Sequence, residues 1–204
     1  MHHETAANGN HGVSVAAALQ AGPVPYEIIE HRHRFSVWAA ARATQRGFSK
    51  VAPLRKALED CGVREFLDTA NFEDIDATRF DAIHRQWCMS VMASLERAHI
   101  CNVTFGRAAK LIAIYLKCVV VLGPRSGTAF AHIAHPPIDG ILLRKLAAFY
   151  VNSEHRSKWA KTKWTKLNDQ QYYELIKQLR QVLGPEEPFW MLEHFWTVTD
   201  DTGL

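Results

Sequence analysis

Four dipeptides, Gly22-Pro23, Gly123-Pro124, Pro136-Pro137 and Gly184-Pro185, interrupt a chain that otherwise repeats apolar side chains at helical spacing. Proline cannot continue a helix and glycine readily ends one, so these pairs mark joins between helices. Runs of β-branched residues are scarce, and no two segments alternate as a strand pair would. The pattern predicts an all-α fold of about eight to ten helices packed as one multi-helix domain. Expected helices span residues 13–21, 26–46, 51–60, 64–70, 77–97, 105–121, 138–151, 169–183 and 188–198. Asp76, Thr104 and Asn168 are the expected N-caps. Phe80, Ile83, Trp87, Val91 and Leu95 form the apolar stripe of the helix after Asp76. Residues 125–135 read as a loop, and Pro136-Pro137 as the first turn of the helix that follows.

With 204 residues, 48% of them hydrophobic, the chain can build one core without staples. Residues 1–12, rich in His, Asn and Gly, read as a flexible leader, and 13–204 as a single all-α domain with room for two lobes flanking a cleft. The four cysteines, Cys61, Cys88, Cys101 and Cys118, form no CxxC pair and read as reduced, buried thiols of a cytoplasmic protein. The most apolar run, 111–122, is interrupted by Lys117 and is shorter than the roughly 20 residues a membrane helix needs, so no membrane partner is expected.

The net charge of +3 is unevenly spread. Residues 59–81 hold eight acids and two bases; residues 144–180 hold nine Lys or Arg and three acids. In the second stretch Trp159 and Trp164 stand among Lys158, Lys161, Lys163 and Lys166. Basic side chains interleaved with aromatic rings suit a nucleic-acid surface, the rings meeting a splayed base and the lysines the phosphates. The same run also reads as a solvated helical face.

A second constellation combines Thr104-Phe105-Gly106-Arg107-Ala108-Ala109-Lys110 with His135-Pro136-Pro137-Ile138-Asp139. These segments resemble the helix-hairpin-helix DNA glycosylases, most of all the archaeal 8-oxoguanine glycosylase branch. There a glycine-containing hairpin precedes a lysine, and a Pro-Val-Asp-like or Pro-Ile-Asp-like segment supplies an aspartate. The matching residues are Gly106 and Lys110, then Pro137, Ile138 and Asp139, within residues 104–149. This chain has one hairpin glycine where the family pattern has two.

The resemblance implies a DNA glycosylase acting on a modified base in a repair or phage-defence setting, with DNA as partner and no cofactor or metal. Lys110 would be the nucleophile and Asp139 its electrostatic partner, since a carboxylate stabilises the oxocarbenium character that builds as the N-glycosidic bond breaks. Gly106 and Arg107 would join the four lysines in holding nucleic acid. Trp190, Phe195 and Trp196, on a last helix too aromatic for one narrow stripe, would wall a base pocket, although Trp190 also suits the core. Lys117, two turns beyond Lys110, is a rival nucleophile, but the apolar run after it favours a snorkelling or structural lysine. The plain alternative makes Lys110 an exposed helix lysine and Asp139 an acid at a helix start.

Two further readings stay open. A non-catalytic binding module of the same fold would use only the basic region. A HEPN-like ribonuclease would use Arg79 and His84, which fit the R-x4-H pattern. The Glu30-His31-Arg32-His33-Arg34 cluster has ordinary i, i+4 salt-bridge spacing. A metal there would need two more ligands; His132 and His135 are candidates, but no recognised spacing joins them to it.

Overall fold

The computed structural model describes residues 27–184 and 186–196. The leader, the helix expected over 13–21 and the last residues of the terminal helix lie outside the described residues. Among the described residues there are nine α-helices and no strand. They are α1 (Ile28–Thr44), α2 (Val51–Asp60), α3 (Val63–Thr69), α4 (Ala77–Arg97), α5 (Phe105–Leu116), α6 (Ala129–Ile133), α7 (Gly140–Phe149), α8 (Arg156–Lys161) and α9 (Asp169–Arg180). Lys117–Val121 continues α5 as a π-helix, and 3₁₀ segments cover Trp164–Lys166 and Phe189–Phe195.

The caps act as their sequence implies. Asp76, Thr104 and Asn168 each accept a backbone N–H of the first turn they precede, and Asn168 and Gln171 form a reciprocal capping box. Gly62 turns the chain from α2 into α3 at φ +84°, where a side chain would be strained.

Helix α5 is the centre of the fold. Nine of its 12 residues are buried, and it packs against α1, α4, α9 and the 164–166 turn. A helix apolar on nearly all sides belongs inside. Its incompletely buried positions, Arg107, Lys110 and Ile114, fall at spacings of three and four and continue into Lys117. One face of α5 and its π-helical extension therefore carries Arg107, Lys110 and Lys117.

Several expectations are corrected. The stretch 125–135 contains α6, capped by the Thr128 hydroxyl. The prolines do not open a helical turn: 135–139 is a buried non-helical segment, and α7 begins at Gly140 with Asp139 as its cap. Proline disfavours helix in the residue before it, so consecutive prolines hold the chain out of helix until Asp139 supplies acceptors. In α4 the deeper residue is His84, fully buried, while Ile83 is only partly so. Cys61 and Cys88 are buried as expected, but Cys101 is exposed and Cys118 half-buried. The basic stretch contains α8, whose Trp159 is wholly buried and so reaches no ligand.

The terminal segment is the most informative departure. It is 3₁₀ rather than α, so residues three apart share a face. Phe189, Leu192 and Phe195 form the face packed on the core. Trp190 and Glu193 share a second face, Met191 and His194 are on the third, and Trp196, the extended residue that ends the segment, also packs on the core.

Candidate functional site

Asp139 sits where three elements meet. Its Oδ1 accepts the N–H groups of Ile141 (2.9 Å) and Leu142 (3.0 Å), which locks the carboxylate at the start of α7. Its Oδ2 accepts Lys110 Nζ from α5 at 3.1 Å and the Trp196 indole N–H at 3.0 Å. Burial opposes the charge on Asp139, but Lys110, the Leu142 amide and the indole outweigh it and hold the carboxyl below its ordinary range. Asp139 is thus an anion at neutral pH.

The Lys110 ammonium lies 4.6 Å from the centroid of the Trp164 ring, within cation–π range. Both side chains of the pair are about nine-tenths covered (11% and 10% exposed), so the ion pair sits in an enclosed setting bounded by two indoles.

Seven residues further along the same face, Lys117 pairs with Glu193, and its ammonium stands 5.8 Å from the Trp196 ring. Burial pushes the Glu193 carboxyl up; Lys117 draws it down, and the charge on Asp139 adds to the rise. Trp196 therefore stands between two lysine–carboxylate pairs. Beside the second pair opens a pocket of about 390 Å³, lined by Lys117, Val121, Leu122, Trp190, Met191 and Glu193 among others.

The four lysines of the basic stretch share one groove of about 980 Å³ with Lys177, Gln171, Tyr173 and the lone acid Glu174. The groove and the ion pair meet at the 164–166 turn. Lys163 and Lys166 face the groove while Trp164 between them reaches Lys110.

The expected hairpin residues are placed differently. The Gly106 N–H donates to the Leu167 carbonyl (3.1 Å), so that amide is already engaged. A Cβ on Gly106 would stand 2.0 Å from the Trp164 carbonyl oxygen. The glycine lets the 164–166 turn close onto α5. Arg107 lies over the Phe48 ring at 4.2 Å, with Nε and Nη1 buried and without a hydrogen-bond partner; neither residue lines the groove. Of the three aromatic residues expected to wall a pocket, Trp190 lines one and Trp196 bonds to Asp139. Phe195 instead packs on Phe149 and Tyr150.

The other candidates separate. Arg79 is exposed and turns back to the Asp74 carbonyl, whereas His84 is buried and bonded to the Tyr173 hydroxyl. Glu30 pairs with Arg34 and Arg64, and His33 bonds Tyr115. His132 is exposed and His135 buried. Among the described residues no three His, Cys, Asp or Glu side chains are grouped to hold a metal ion, and no helix is long and apolar enough to cross a membrane.

Glu193 is the residue sequence reasoning missed. It lies 76 positions from Lys117, and only the three-residue repeat of its segment aligns it with Trp190. Comparison with protein-family models, with curated proteins and with solved structures finds no match.

Proposed function

We propose that the chain is a DNA N-glycosylase in which Lys110 is the nucleophile and Asp139 its electrostatic partner. The observation that carries this reading is the enclosed contact of Lys110 Nζ with Asp139 Oδ2, 3.1 Å apart and bounded by Trp164 and Trp196. A carboxylate fixed by two backbone amides is held ready for positive charge developing at a sugar carbon. After the Lys110 ammonium passes a proton to solvent, Nζ bonds to C1′ and the N-glycosidic bond breaks. Its electron pair leaves with the base, which takes up a proton. Opening of the C1′–O4′ bond, with a proton passing from Nζ to O4′, then leaves a Schiff base on Lys110.

The target base leaves the stack before it reaches such a site. The pocket beside Trp190 and the Lys117–Glu193 pair adjoins the Lys110 site through Trp196, and offers a ring face with a charged donor and a carboxyl. The lysine groove, reaching the pair through the 164–166 turn, supplies phosphate contacts.

Borohydride trapping on duplexes carrying a panel of modified bases tests the reading. Wild type is expected to form a covalent adduct with at least one lesion, Lys110→Gln to form none, and Lys117→Gln to keep the adduct with altered base preference. No adduct and no released base on any duplex or single strand overturns it. The open groove lined by four exposed lysines favours one second reading, a nucleic-acid-binding module that uses the groove alone. That module binds the same DNA and releases nothing.

A further inference from the structure

His135 stands four residues before Asp139 and is held more tightly than its neighbours' apolar character requires. It is buried (2% exposed), and both ring nitrogens have partners on other helices. Nε2 lies 2.9 Å from Asp81 Oδ1 on α4, and Nδ1 lies 3.1 Å from the Tyr172 hydroxyl on α9. Nε2 also lies 3.1 Å from Arg180 Nη2, a group that can only donate, so Asp81 and Arg180 both face this nitrogen, and the Tyr172 hydroxyl, which can donate or accept, serves Nδ1 in either tautomer. Asp81 is itself fixed by a two-point contact with Arg180, at 2.7 and 2.8 Å. Between this clamp and Asp139 the chain runs through Pro136, Pro137 and Ile138, all buried. Proline fixes φ, so the segment has little freedom to absorb a displacement at its start.

We propose that His135, clamped by Asp81 and Tyr172, is a positioning residue that holds Asp139 against Lys110. This rests on the glycosylase reading for its effect on turnover. Asp139 is set from two ends, by the amides of α7 ahead of it and by the His135 clamp behind it. Loss of the clamp frees the 135–139 segment to slide, and Oδ2 moves out of reach of Lys110 and of the Trp196 indole.

The amide of His135→Gln can still donate to Asp81, whereas His135→Leu keeps neither bond. Tyr172→Phe removes one bond and keeps the ring. The first readout is the Trp196 indole N–H resonance, assigned with Trp196→Phe, because that N–H reports directly on Asp139. It is expected to shift in His135→Leu and Tyr172→Phe, less in His135→Gln, and not in Leu58→Ala, a core variant on α2 that reports destabilisation alone. The second readout is single-turnover trapping. A displacement near 1 Å lowers the rate at saturating DNA by about 10²-fold in His135→Leu, with the half-saturating concentration unchanged. If His135→Leu does not fold, Tyr172→Phe carries both measurements. An unmoved indole resonance in folded clamp variants overturns the proposal. Absence of trapping in wild type overturns the glycosylase reading instead, and leaves the indole result to decide the positioning claim by itself.

Discussion

The carbonyl oxygen of Trp164 occupies the space that a Cβ on Gly106 would need, 2.0 Å from its ideal position. This contact brings the indole of the 164–166 turn onto Lys110 and sets Lys163 and Lys166 facing the groove. Gly106→Ala is therefore expected to push the turn away from α5. Overpacking of this kind costs roughly 1–3 kcal/mol. A thermal melt checks the cost, and quenching of Trp164 fluorescence checks the movement. An alanine variant with wild-type melting and an unmoved Trp164 removes the packing role assigned to this glycine.

Removing the carboxylate and removing its charge have different consequences. Asp139→Ala deletes the cap of α7, which costs about 0.5–2 kcal/mol. Asp139→Asn keeps an acceptor for the Ile141 and Leu142 amides but not the charge. The asparagine variant is thus expected to melt closer to wild type than the alanine variant while losing as much covalent trapping. Equal trapping by Asp139→Asn and wild type excludes an electrostatic role for this residue.

Neutralising Lys158, Lys161, Lys163 and Lys166 together is expected to weaken DNA binding and flatten its salt dependence. Each lost phosphate contact reduces the log–log slope by about 0.9 on duplex DNA or about 0.7 on single strands. All four side chains line one open groove and none is buried, so stability should hardly change. Titrations at several salt concentrations give the slope directly. An unchanged slope reduces the groove to a solvated surface.

Stability should fall in two stages on acidification. Burial lowers the pKa of His33, with Arg64 adding to it and Glu30 opposing. Burial likewise lowers His84, helped by His135, and lowers His135 against the pull of Asp81. Each is neutral in the fold and takes a proton more easily when unfolded. Their contribution is complete above an unfolded pKa of about 6.5 and declines as pH falls through the folded values, by up to ~1.4 kcal/mol per pH unit for each histidine. Asp81, Asp139 and Glu30 have lowered pKa values too, so a second loss begins below about 4. Urea midpoints between about pH 8 and 3 should show both declines, with a shallower first one in His84→Gln. A flat midpoint between about pH 7.5 and 5 contradicts the buried neutral state.

What the chain discloses of this arrangement depends on how local each determinant is. Caps and glycine stops act within four residues, so Asp76, Thr104 and Asn168 locate three helix starts. The Lys110–Asp139 contact spans 29 residues, and only the family-like spelling of the two segments suggested pairing them. Glu193 and the His135 clamp carry no such spelling. Asp81, Tyr172 and Arg180 are 54, 37 and 45 positions from His135, and they meet it only because α4 and α9 pack across the 135–139 segment. Prolines were legible as breaks, but their placement outside α7 depended on Asp139 providing a stronger cap.

The terminal aromatics were the hardest to assign, because so many large residues in two turns fit no single α-helical stripe. A repeat of three resolves them. Phe189 and Leu192, 3% and 0% exposed, seal the core, whereas Trp190, on the face with Glu193, keeps 36% of its surface exposed. Trp190 is therefore not the buried anchor its size suggests. Phe189→Ala is expected to cost about 3–5 kcal/mol, the range for a buried aromatic side chain. Trp190→Ala should cost clearly less than Phe189→Ala, since more than a third of the Trp190 surface stays exposed. Its effect should fall on the pocket it lines, as weaker discrimination between lesion-bearing and undamaged DNA. Glu193→Gln separates the two roles further, since it leaves the core face untouched and removes the carboxylate facing Lys117. Melts of the three variants, run beside competition binding with lesion and undamaged duplexes, check the assignment. If Trp190→Ala unfolds as readily as Phe189→Ala, the segment packs with a different repeat, and its second face does not belong to the site.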